Sequence, residues 1–341
     1  MLKSSELYAS LELHKGRRWL ITGVAGFIGS NLLIKLLSHG QTVVGLDSFI
    51  TGHQYNLDRV HEAVGDLAWE NFTFIKGDIR NVDVCMEACD NVDYVLHQAA
   101  LGSVPRSIEN PLDSNDINIS GFLTMLNCAK EQGVKSFTYA SSSSVYGDIK
   151  DSPKVEARTG SVLSPYAATK AVNELYADVF SKNYKFHAVG LRYFNVFGAG
   201  QDPNGAYAAV IPKWVSAMLA GDDVFINGDG STSRDFCYIE NVIEANIRAA
   251  LSSFEINQVF NVALGGSTTL SELFEMIRLE LGNIGCEYNK KPIFRDFRKG
   301  DVKHSLANIE NITDELGYQG EYSLSSGLAL TMPWYARVLG S

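Results

Sequence analysis

Cysteine and histidine are sparse in this sequence, and neither is spaced as in a disulfide framework or a metal site. The 341 residues include five cysteines, an odd number, and no two of them form a C-x-x-C pair. The seven histidines show no H-x-x-x-H or similar metal-binding spacing. This pattern argues against a disulfide-stabilised scaffold, favours a reducing compartment and predicts no metal site. The cysteines are Cys85, Cys89, Cys128, Cys237 and Cys286.

Basic residues are outnumbered by acidic ones, and long apolar runs are absent. The 29 Lys and Arg residues against 39 Asp and Glu residues give a formal net charge of −10. A chain of this sign is not expected to track nucleic acids, and any phosphate-bearing ligand needs a local group of cationic side chains. The sequence has no apolar run long enough for a transmembrane helix. Residues 1–16 lack the apolar core of a signal peptide and are expected to form a short amphipathic extension. We therefore expect a cytoplasmic protein that binds neither nucleic acid nor membranes.

Strand-like and helix-like segments alternate through the first half of the chain. The strand-like segments are 17–22, 41–47, 71–78, 93–100, 135–142 and 187–198, and the helical ones are 29–40, 121–133 and 164–184. Such alternation is typical of a parallel sheet with helices on both faces, so the predicted fold class is α/β, a Rossmann-type doubly wound sheet. The length and the 45% of apolar residues suffice for one large domain or two coupled ones.

The pattern changes after Gly198. A Gly/Asp/Pro-rich loop, "GAGQDPNGAY", is followed by shorter elements at 223–228, 259–264 and 269–282. We expect a first domain over 17–198 and a smaller C-terminal α/β domain over 199–341, with the chain returning to the first domain around 234–264.

Three glycines stand directly after the first predicted strand. Gly23, Gly26 and Gly29 in "TGVAGFIGS" have G-x-x-G-x-x-G spacing and open the first helix. Such a turn lets the backbone approach a pyrophosphate, which then binds the N–H groups at the helix N-terminus. Asp47 ends the second predicted strand, where a carboxylate can bind both hydroxyls of an adenosine ribose and would repel a 2′-phosphate. The combination predicts an NAD site rather than an NADP site.

A Y-x-x-x-K motif in the helix 164–184 is the candidate catalytic pair. Tyr166 and Lys170 share one helix face because they are four residues apart. A tyrosine of pKa near 10 becomes a base near neutral pH only if its phenolate is stabilised, and a nearby ammonium can do this. Tyr146 and Lys150 form a second match, "YGDIK", but in a predicted loop that gives their side chains no reason to point together. Tyr146 is therefore predicted to be a structural anchor.

On these motifs the sequence resembles the extended short-chain dehydrogenase/reductase superfamily from about residue 17 to the C-terminus. Within it, the chain is most similar to the nucleotide-sugar 4-epimerases, and among those to the UDP-N-acetylhexosamine 4-epimerases. The resemblance implies that Ser142 binds the sugar 4-oxygen, that Tyr166 is the base and that Lys170 supports both Tyr166 and the cofactor. It implies that C4 gives its hydride to bound NAD, that the 4-keto sugar turns over, and that the hydride returns to the opposite face.

The resemblance also implies two sets of ligand-binding residues, in an NAD-binding domain at 17–198 and a mainly UDP-sugar-binding domain at 199–341. Asn118 is expected to support the active-site backbone. The expected cofactor residues are Gly23, Gly26, Phe27, Ile28, Gly29, Asp47, Asp78, Ile79, Gln98, Ala99, Tyr166, Lys170 and Tyr193. The expected substrate residues are Gly102, Ser103, Ser142, Ser143, Tyr166, Asn195, Ala209, Val210, Phe225, Asn227, Arg234, Arg298, Asp301 and Ser305.

The choice among family reactions depends on a few positions. Related dehydratases and decarboxylases resemble this chain but carry an acid where Ser143 or Ser144 stands, so serines there disfavour those reactions. Ala209 and Ser305 are small where plain glucose/galactose epimerases often carry larger residues, which favours a 2-acetamido sugar. The alternatives are a UDP-glucose/UDP-galactose 4-epimerase, a UDP-glucuronate 4-epimerase and, remotely, a non-catalytic NAD-binding regulatory protein. The resemblance further implies a homodimer through helices at about 107–133 and 164–184.

Overall fold

The computed structural model describes residues 6–9, 16–203, 209–253, 257–297 and 303–339. Two predicted substrate residues, Arg298 and Asp301, lie outside the described residues. Residues 6–9 are helical, and Leu7 in this short segment is buried against the main core.

A seven-stranded parallel sheet forms the centre of the molecule and confirms the predicted fold class. Its order is β11-β6-β5-β4-β1-β2-β3, so the chain winds outward from β1 in both directions. This reversal of strand order beside β1 creates a crevice at the carboxyl ends of the strands, where ligands bind in such folds. The strands are β1 (Arg18–Thr22), β2 (Thr42–Asp47), β3 (Phe72–Lys76), β4 (Tyr94–His97), β5 (Ser136–Ser142), β6 (Ala188–Tyr193) and β11 (Gln258–Val262).

The helices of the first part agree with the predicted ones to within a few residues, but more of them exist than the sequence pattern showed. The predicted helix 121–133 is the end of a longer helical path that begins at Pro111 and passes through a π-helical turn at Asp116–Gly121. That upstream segment, "PLDSNDINIS", has no clear apolar repeat, so periodicity did not reveal it. The helices are α1 (Phe27–Ser38), α2 (Gln54–Trp69), α3 (Val82–Ala88), α4 (Val104–Glu109), α5 (Pro111–Asn115), α6 (Phe122–Glu131) and α7 (Pro165–Tyr184). Residues Ser143–Tyr146 form a 3₁₀ turn.

The segment 187–198 was predicted as one strand and is two. After β6 ends, β7 (Val196–Phe197) leaves the main sheet and pairs with β10 (Cys237–Tyr238). Two further small sheets carry β12-β9-β14 and β13-β8. These strands are β8 (Phe225–Asn227), β9 (Ser233–Arg234), β12 (Thr268–Thr269), β13 (Ile293–Arg295) and β14 (His304–Ser305).

The C-terminal part packs onto the main sheet through helices and one strand. β11 pairs with β6 at the sheet edge, and α9 contacts β4, β5 and β6, as a return of the chain around 234–264 requires. One cluster of buried side chains joins the sheet to the later helices, with Ile21 and Leu191 on one side and Val215 and Phe274 on the other. The division into two domains stays a prediction. The later helices are α8 (Val210–Leu219), α9 (Ile239–Leu251), α10 (Leu270–Asn283), α11 (Glu310–Leu316) and α12 (Leu324–Leu339).

The described residues include neither a candidate membrane-spanning helix nor a candidate metal-binding cluster. Among the helices within them, none combines the length and apolar character that a membrane crossing needs. The same ranges hold no group of three or more His, Cys, Asp or Glu side chains arranged to bind a metal ion.

Candidate active site

Two cavities meet at the carboxyl ends of the central strands. The first has a volume of about 420 Å³ and lies over the ends of β1, β2, β4, β5 and β6. The second has a volume of about 720 Å³ and extends toward α8 and the β8-β13 pair. Val196 lines both cavities, so they adjoin at the point where β7 leaves the main sheet.

The glycine turn forms one wall of the first cavity. Gly23 has φ +69°, and its N–H donates to the Leu46 carbonyl at 2.8 Å, which fixes the turn against β2. A side chain at Gly23 would lie 2.8 Å from the Ala99 nitrogen, so the turn also packs tightly on β4's end. Helix α1 begins after Gly26, and no side chain caps its first turn. The N–H groups of that turn are therefore suited to an anionic ligand such as a pyrophosphate.

Asp47 lines the first cavity beside the glycine turn. Its Oδ2 accepts from the Ala25 N–H at 2.9 Å and its Oδ1 from the Phe49 N–H at 2.8 Å. Burial raises the pKa of this carboxyl, and the backbone N–H groups and the His53 charge oppose that shift. Each oxygen keeps lone pairs for a ribose hydroxyl, since a carboxylate offers about four acceptor sites. The glycine turn and Asp47 together fit NAD.

The other predicted cofactor residues lie around the same cavity. Asp78 lines it, but its carboxylate also pairs with Arg80, whose side chain holds the pKa of Asp78 below its usual range. All thirteen predicted cofactor residues line the first cavity: Gly23, Gly26, Phe27, Ile28, Gly29, Asp47, Asp78, Ile79, Gln98, Ala99, Tyr166, Lys170 and Tyr193. The structure therefore brings the whole set together around one cavity, and their contacts with NAD stay a prediction.

The predicted catalytic residues come from one strand end and one helix, and all three line the first cavity. Ser142 is the last residue of β5, while Tyr166 and Lys170 occupy the first two turns of α7. That helix begins sharply because Ser164 caps it, accepting from the Ala167 N–H at 3.2 Å, and Pro165 occupies its first position. The Lys170 Nζ donates to the Ala140 carbonyl at 2.7 Å and lies 5.9 Å from the centre of the Tyr166 ring.

Burial and hydrogen bonds set the electrostatics of this group. Burial raises the pKa of Tyr166, and a hydrogen bond with Ser142 lowers it in part. Burial lowers the pKa of Lys170 to about 8, and the Glu174 carboxylate opposes that shift. Lys170 therefore stays mostly protonated at neutral pH, which is the state needed to stabilise a phenolate at Tyr166.

The serine run that ends β5 divides into residues with different surroundings. Ser142 accepts from the Ser144 N–H at 3.2 Å, and the two hydroxyls are 2.9 Å apart. Ser143 lies in the 3₁₀ turn and lines neither cavity, although it was predicted to bind substrate. Tyr146 is buried, and its hydroxyl donates to Asn261 at 2.6 Å. It lines neither cavity, so it is not placed to act as a second base.

Two buried asparagines hydrogen-bond residues that line the first cavity. Asn118 binds both the N–H and the carbonyl of Leu101, and it donates to the Thr169 hydroxyl at 3.2 Å. Asn246 on α9, which the sequence did not single out, accepts from the Gln98 amide at 3.0 Å and donates to the Tyr193 hydroxyl at 2.8 Å. It stands in no motif, so only the fold reveals that it orients two cavity residues.

The second cavity is lined by seven of the twelve predicted substrate residues that the structure describes. Arg295 and Lys213 line it too and were not predicted; the Arg295 guanidinium lies 3.3 Å from the centre of the Phe225 ring. Gly102 lines the first cavity, and Ser305 lines neither but pairs with Arg234 between β14 and β9. The predicted substrate residues around the second cavity are Ser103, Asn195, Ala209, Val210, Phe225, Asn227 and Arg234.

Comparison with known proteins places this architecture. A UDP-N-acetylglucosamine 4-epimerase from Methanobrevibacter ruminantium, solved in complex with UDP-N-acetylmuramic acid, is 39% identical, with a TM-score of 0.86 over 95% of this chain and 99% of that one. A putative UDP-glucose 4-epimerase from Methanocaldococcus jannaschii is 33% identical over 92% of this chain and 97% of its own length. A UDP-glucuronate 4-epimerase from Thermodesulfobacterium geofontis is 32% identical over 93% and 95%.

The model of one enzyme family matches the chain directly. The NAD dependent epimerase/dehydratase family matches residues 19–263, which is well over half of the chain. This match confirms the resemblance inferred from the glycine turn and the Y-x-x-x-K helix, and it confirms NAD as the cofactor. The chain therefore belongs to the NAD-dependent epimerase/dehydratase family.

Proposed function

We propose that the protein is an NAD-dependent UDP-sugar 4-epimerase whose preferred reaction interconverts UDP-N-acetylglucosamine and UDP-N-acetylgalactosamine. The observation that carries this proposal is the position of Ser142, Tyr166 and Lys170 in the cofactor cavity, next to a second cavity that is large enough for a nucleotide sugar. Among the residues that the structure describes, the cationic side chains that line the second cavity of this acidic protein are Lys213, Arg234 and Arg295. They supply the local positive charge that a diphosphate needs.

The residues divide the chemistry of C4 between them. Tyr166 takes the proton of the 4-hydroxyl as C4 is oxidised, and the same residue returns a proton when the 4-keto sugar is reduced. Ser142 hydrogen-bonds the 4-oxygen and the Tyr166 hydroxyl, and so aligns the two. Lys170 stabilises the phenolate through its charge. Bound NAD supplies the hydride acceptor in the first half of the reaction and the donor in the second.

Small residues favour the N-acetylated sugar, and a lack of acids favours epimerisation over the related reactions. Ala209 lines the second cavity, and Ser305 pairs with Arg234, which also lines it, so both small residues leave room for a 2-acetamido group. Ser143 and Ser144 offer no carboxylic acid for dehydration or decarboxylation. The relative most similar among those compared above, at 39% identity, is also named for the N-acetylated sugar.

Turnover of three nucleotide sugars tests the proposal. We expect the NAD-loaded protein to convert UDP-N-acetylglucosamine to its axial C4 epimer, followed by NMR, faster than it converts UDP-glucose or UDP-glucuronate. Faster turnover of either competitor would overturn the substrate assignment. If none of the three sugars is turned over, the result would favour the alternative of a non-catalytic NAD-binding regulatory protein.

Ser305→Tyr tests the proposed size gate. We expect kcat/KM for UDP-N-acetylglucosamine to fall by about tenfold to a hundredfold, with a smaller loss for UDP-glucose, because only the acetamido group needs the space that the new ring fills. Ser325→Tyr, at an exposed position in α12, is the matched control and should leave both values unchanged. An equal loss on both sugars would remove Ser305 as a size gate.

We also propose a homodimer through α7 and its neighbours. Helices α4 and α5 pack against α7, and all three carry apolar side chains in solvent, including Ile108, Leu112, Leu175 and Val179. Single exposed apolar residues are ordinary, but a group of them on packed helices is typical of an interface. Leu175→Arg is therefore expected to yield monomers in sedimentation velocity, whereas Leu67→Arg on α2 should not. A monomeric unmodified protein would contradict the proposal.

A further inference from the structure

A buried ion pair lies one helical turn behind the catalytic lysine. Glu174 follows Lys170 by four residues on α7, so the two share a helix face. Arg192 on β6 binds it with both ends of the guanidinium fork: Nε lies 2.9 Å from Oε1, and Nη2 lies 2.8 Å from Oε2. The Arg192 and Glu174 side chains are only 6% and 14% exposed.

Ser141 completes the group. Its hydroxyl donates to Glu174 Oε1 at 2.5 Å, which ties the end of β5 to the middle of α7. Ser141 immediately precedes Ser142, so the carboxylate is anchored to the same strand end that carries the proposed catalytic hydroxyl. Ser141 also lines the first cavity, but the proposed reaction assigns its hydroxyl no part.

Stabilisation of the fold alone does not explain a buried ion pair of this kind. Removing two charges from water is costly, and replacing a buried pair by apolar side chains is often neutral or stabilising. Its position offers a better reason, because Glu174 raises the pKa of Lys170 against the lowering effect of burial. The proposed mechanism needs Lys170 charged, and burial works against that charge.

The remaining ionisable groups around Lys170 do not supply this charge balance. Burial lowers the pKa of His97 on β4 to about 3, so His97 is neutral at neutral pH. Burial raises the pKa of Tyr139 on β5 and that of Tyr146 behind Arg192, so both stay neutral as well. Arg192 also donates from Nη1 to the Glu156 backbone carbonyl at 3.0 Å, a contact that adds no net charge beside the pair.

We propose that Glu174, held by Ser141 and Arg192, is a positioning residue that keeps the Lys170 amine protonated in the first cavity. The inference rests on the proposed function, in which Lys170 acts as a cation. Arg192 has two roles. It holds the Glu174 carboxylate in place, and its positive charge partly offsets the electrostatic effect of that carboxylate on Lys170. Neutralising either partner should therefore change the titration of Lys170, and the two changes should have opposite signs.

Titration of Lys170 in the NAD-bound protein tests this directly. Lysine labelled with ¹³C at Cε is followed by NMR against pH, and the Lys170 signal is identified by its loss in Lys170→Arg. In Glu174→Gln the titration midpoint should fall by about one pH unit or more, because a negative charge is lost and Arg192 is left uncompensated. In Arg192→Gln it should rise, because Glu174 is left uncompensated. Ser141→Ala keeps both charges and should leave the midpoint near that of the unmodified protein.

Shifts of the Lys170 midpoint in opposite directions distinguish an electrostatic role of the ion pair from a merely structural one. A merely structural pair predicts changes of the same direction in both variants, or none, and either result would overturn the proposal. Circular dichroism checks that each variant is folded, and Glu174→Asp, which keeps the charge, should stay closer to the unmodified midpoint than Glu174→Gln does. If Arg192→Gln does not fold, an unchanged midpoint in Glu174→Gln still refutes the inference.

The titration needs no substrate, so it is independent of the proposed epimerase activity. If the enzyme turns over a UDP-sugar, the alkaline limb of its kcat profile should move to lower pH in Glu174→Gln by a similar amount. A protein that turns over none of the sugars yet shows the opposite Lys170 shifts would refute the proposed function and leave this inference standing.

Discussion

Tyr166→Phe is expected to lower kcat by about 10³-fold while NAD stays bound, since loss of a positioned general base typically costs 10²- to 10⁴-fold. Phenylalanine keeps the ring and its packing at the start of α7 but removes the hydroxyl that hydrogen-bonds Ser142. Lys170 keeps its bond to the Ala140 carbonyl, and the glycine turn is untouched. Activity is measured on UDP-N-acetylglucosamine, and NAD is measured after its release from the denatured protein.

Tyr146→Phe is the matched control, because Tyr146 also begins a Y-x-x-x-K sequence. The same atom is removed there, but its partner is Asn261 in the interior. We expect kcat to change little and the free energy of unfolding to fall by about 1–3 kcal/mol, because a buried amide oxygen loses its donor. If Tyr146→Phe were inactive and Tyr166→Phe active, the base assignment would be wrong.

Local spacing predicted several residues that the structure brings to the first cavity. The glycine turn, Asp47 and the Tyr166–Lys170 pair were predicted from their positions at the end of a strand or the start of a helix, whereas Ser142 was predicted from the family resemblance. A parallel sheet brings all its carboxyl strand ends to one edge, so these motifs had to converge once the fold class was right.

Other parts of the site depend on contacts between distant segments, which spacing does not reveal. Asn246 hydrogen-bonds Gln98, which lies 148 residues earlier in the sequence. Arg192 on β6 binds Glu174 on helix α7. Arg295 joins the second cavity because β13 pairs with β8, a pairing of strands of only three residues each. The division of 187–198 into β6 and β7 was missed for the same reason: β7 is defined by its partner β10.

Gly29→Ala is expected to abolish NAD retention and to destabilise the fold. A methyl group at this position would lie 2.8 Å from the Gly23 carbonyl carbon and closer still to the Gly23 oxygen. Both atoms are backbone, so no side-chain rotation relieves the overlap, and the turn must open. Overpacking of this kind costs about 1–3 kcal/mol and occasionally more.

The effect on the cofactor should exceed the effect on stability, because the displaced atoms are the ones that shape the anion site. Opening the turn moves the first N–H groups of α1 away from the Gly23 side of the cavity, where a pyrophosphate would lie. We expect purified Gly29→Ala protein to contain little or no NAD and to unfold at a lower temperature than the unmodified protein.

Gly282→Ala near the end of α10 is the matched control for this change. A methyl group there meets no atom within 4 Å, and alanine favours a helix over glycine by about 1 kcal/mol. This variant should keep its NAD and unfold at an equal or higher temperature. Since both changes add one methyl group to a helical glycine, a difference between them isolates the contact with Gly23. If Gly29→Ala instead retained NAD and stability, the close approach of α1 to the turn could not be what forms the cofactor site.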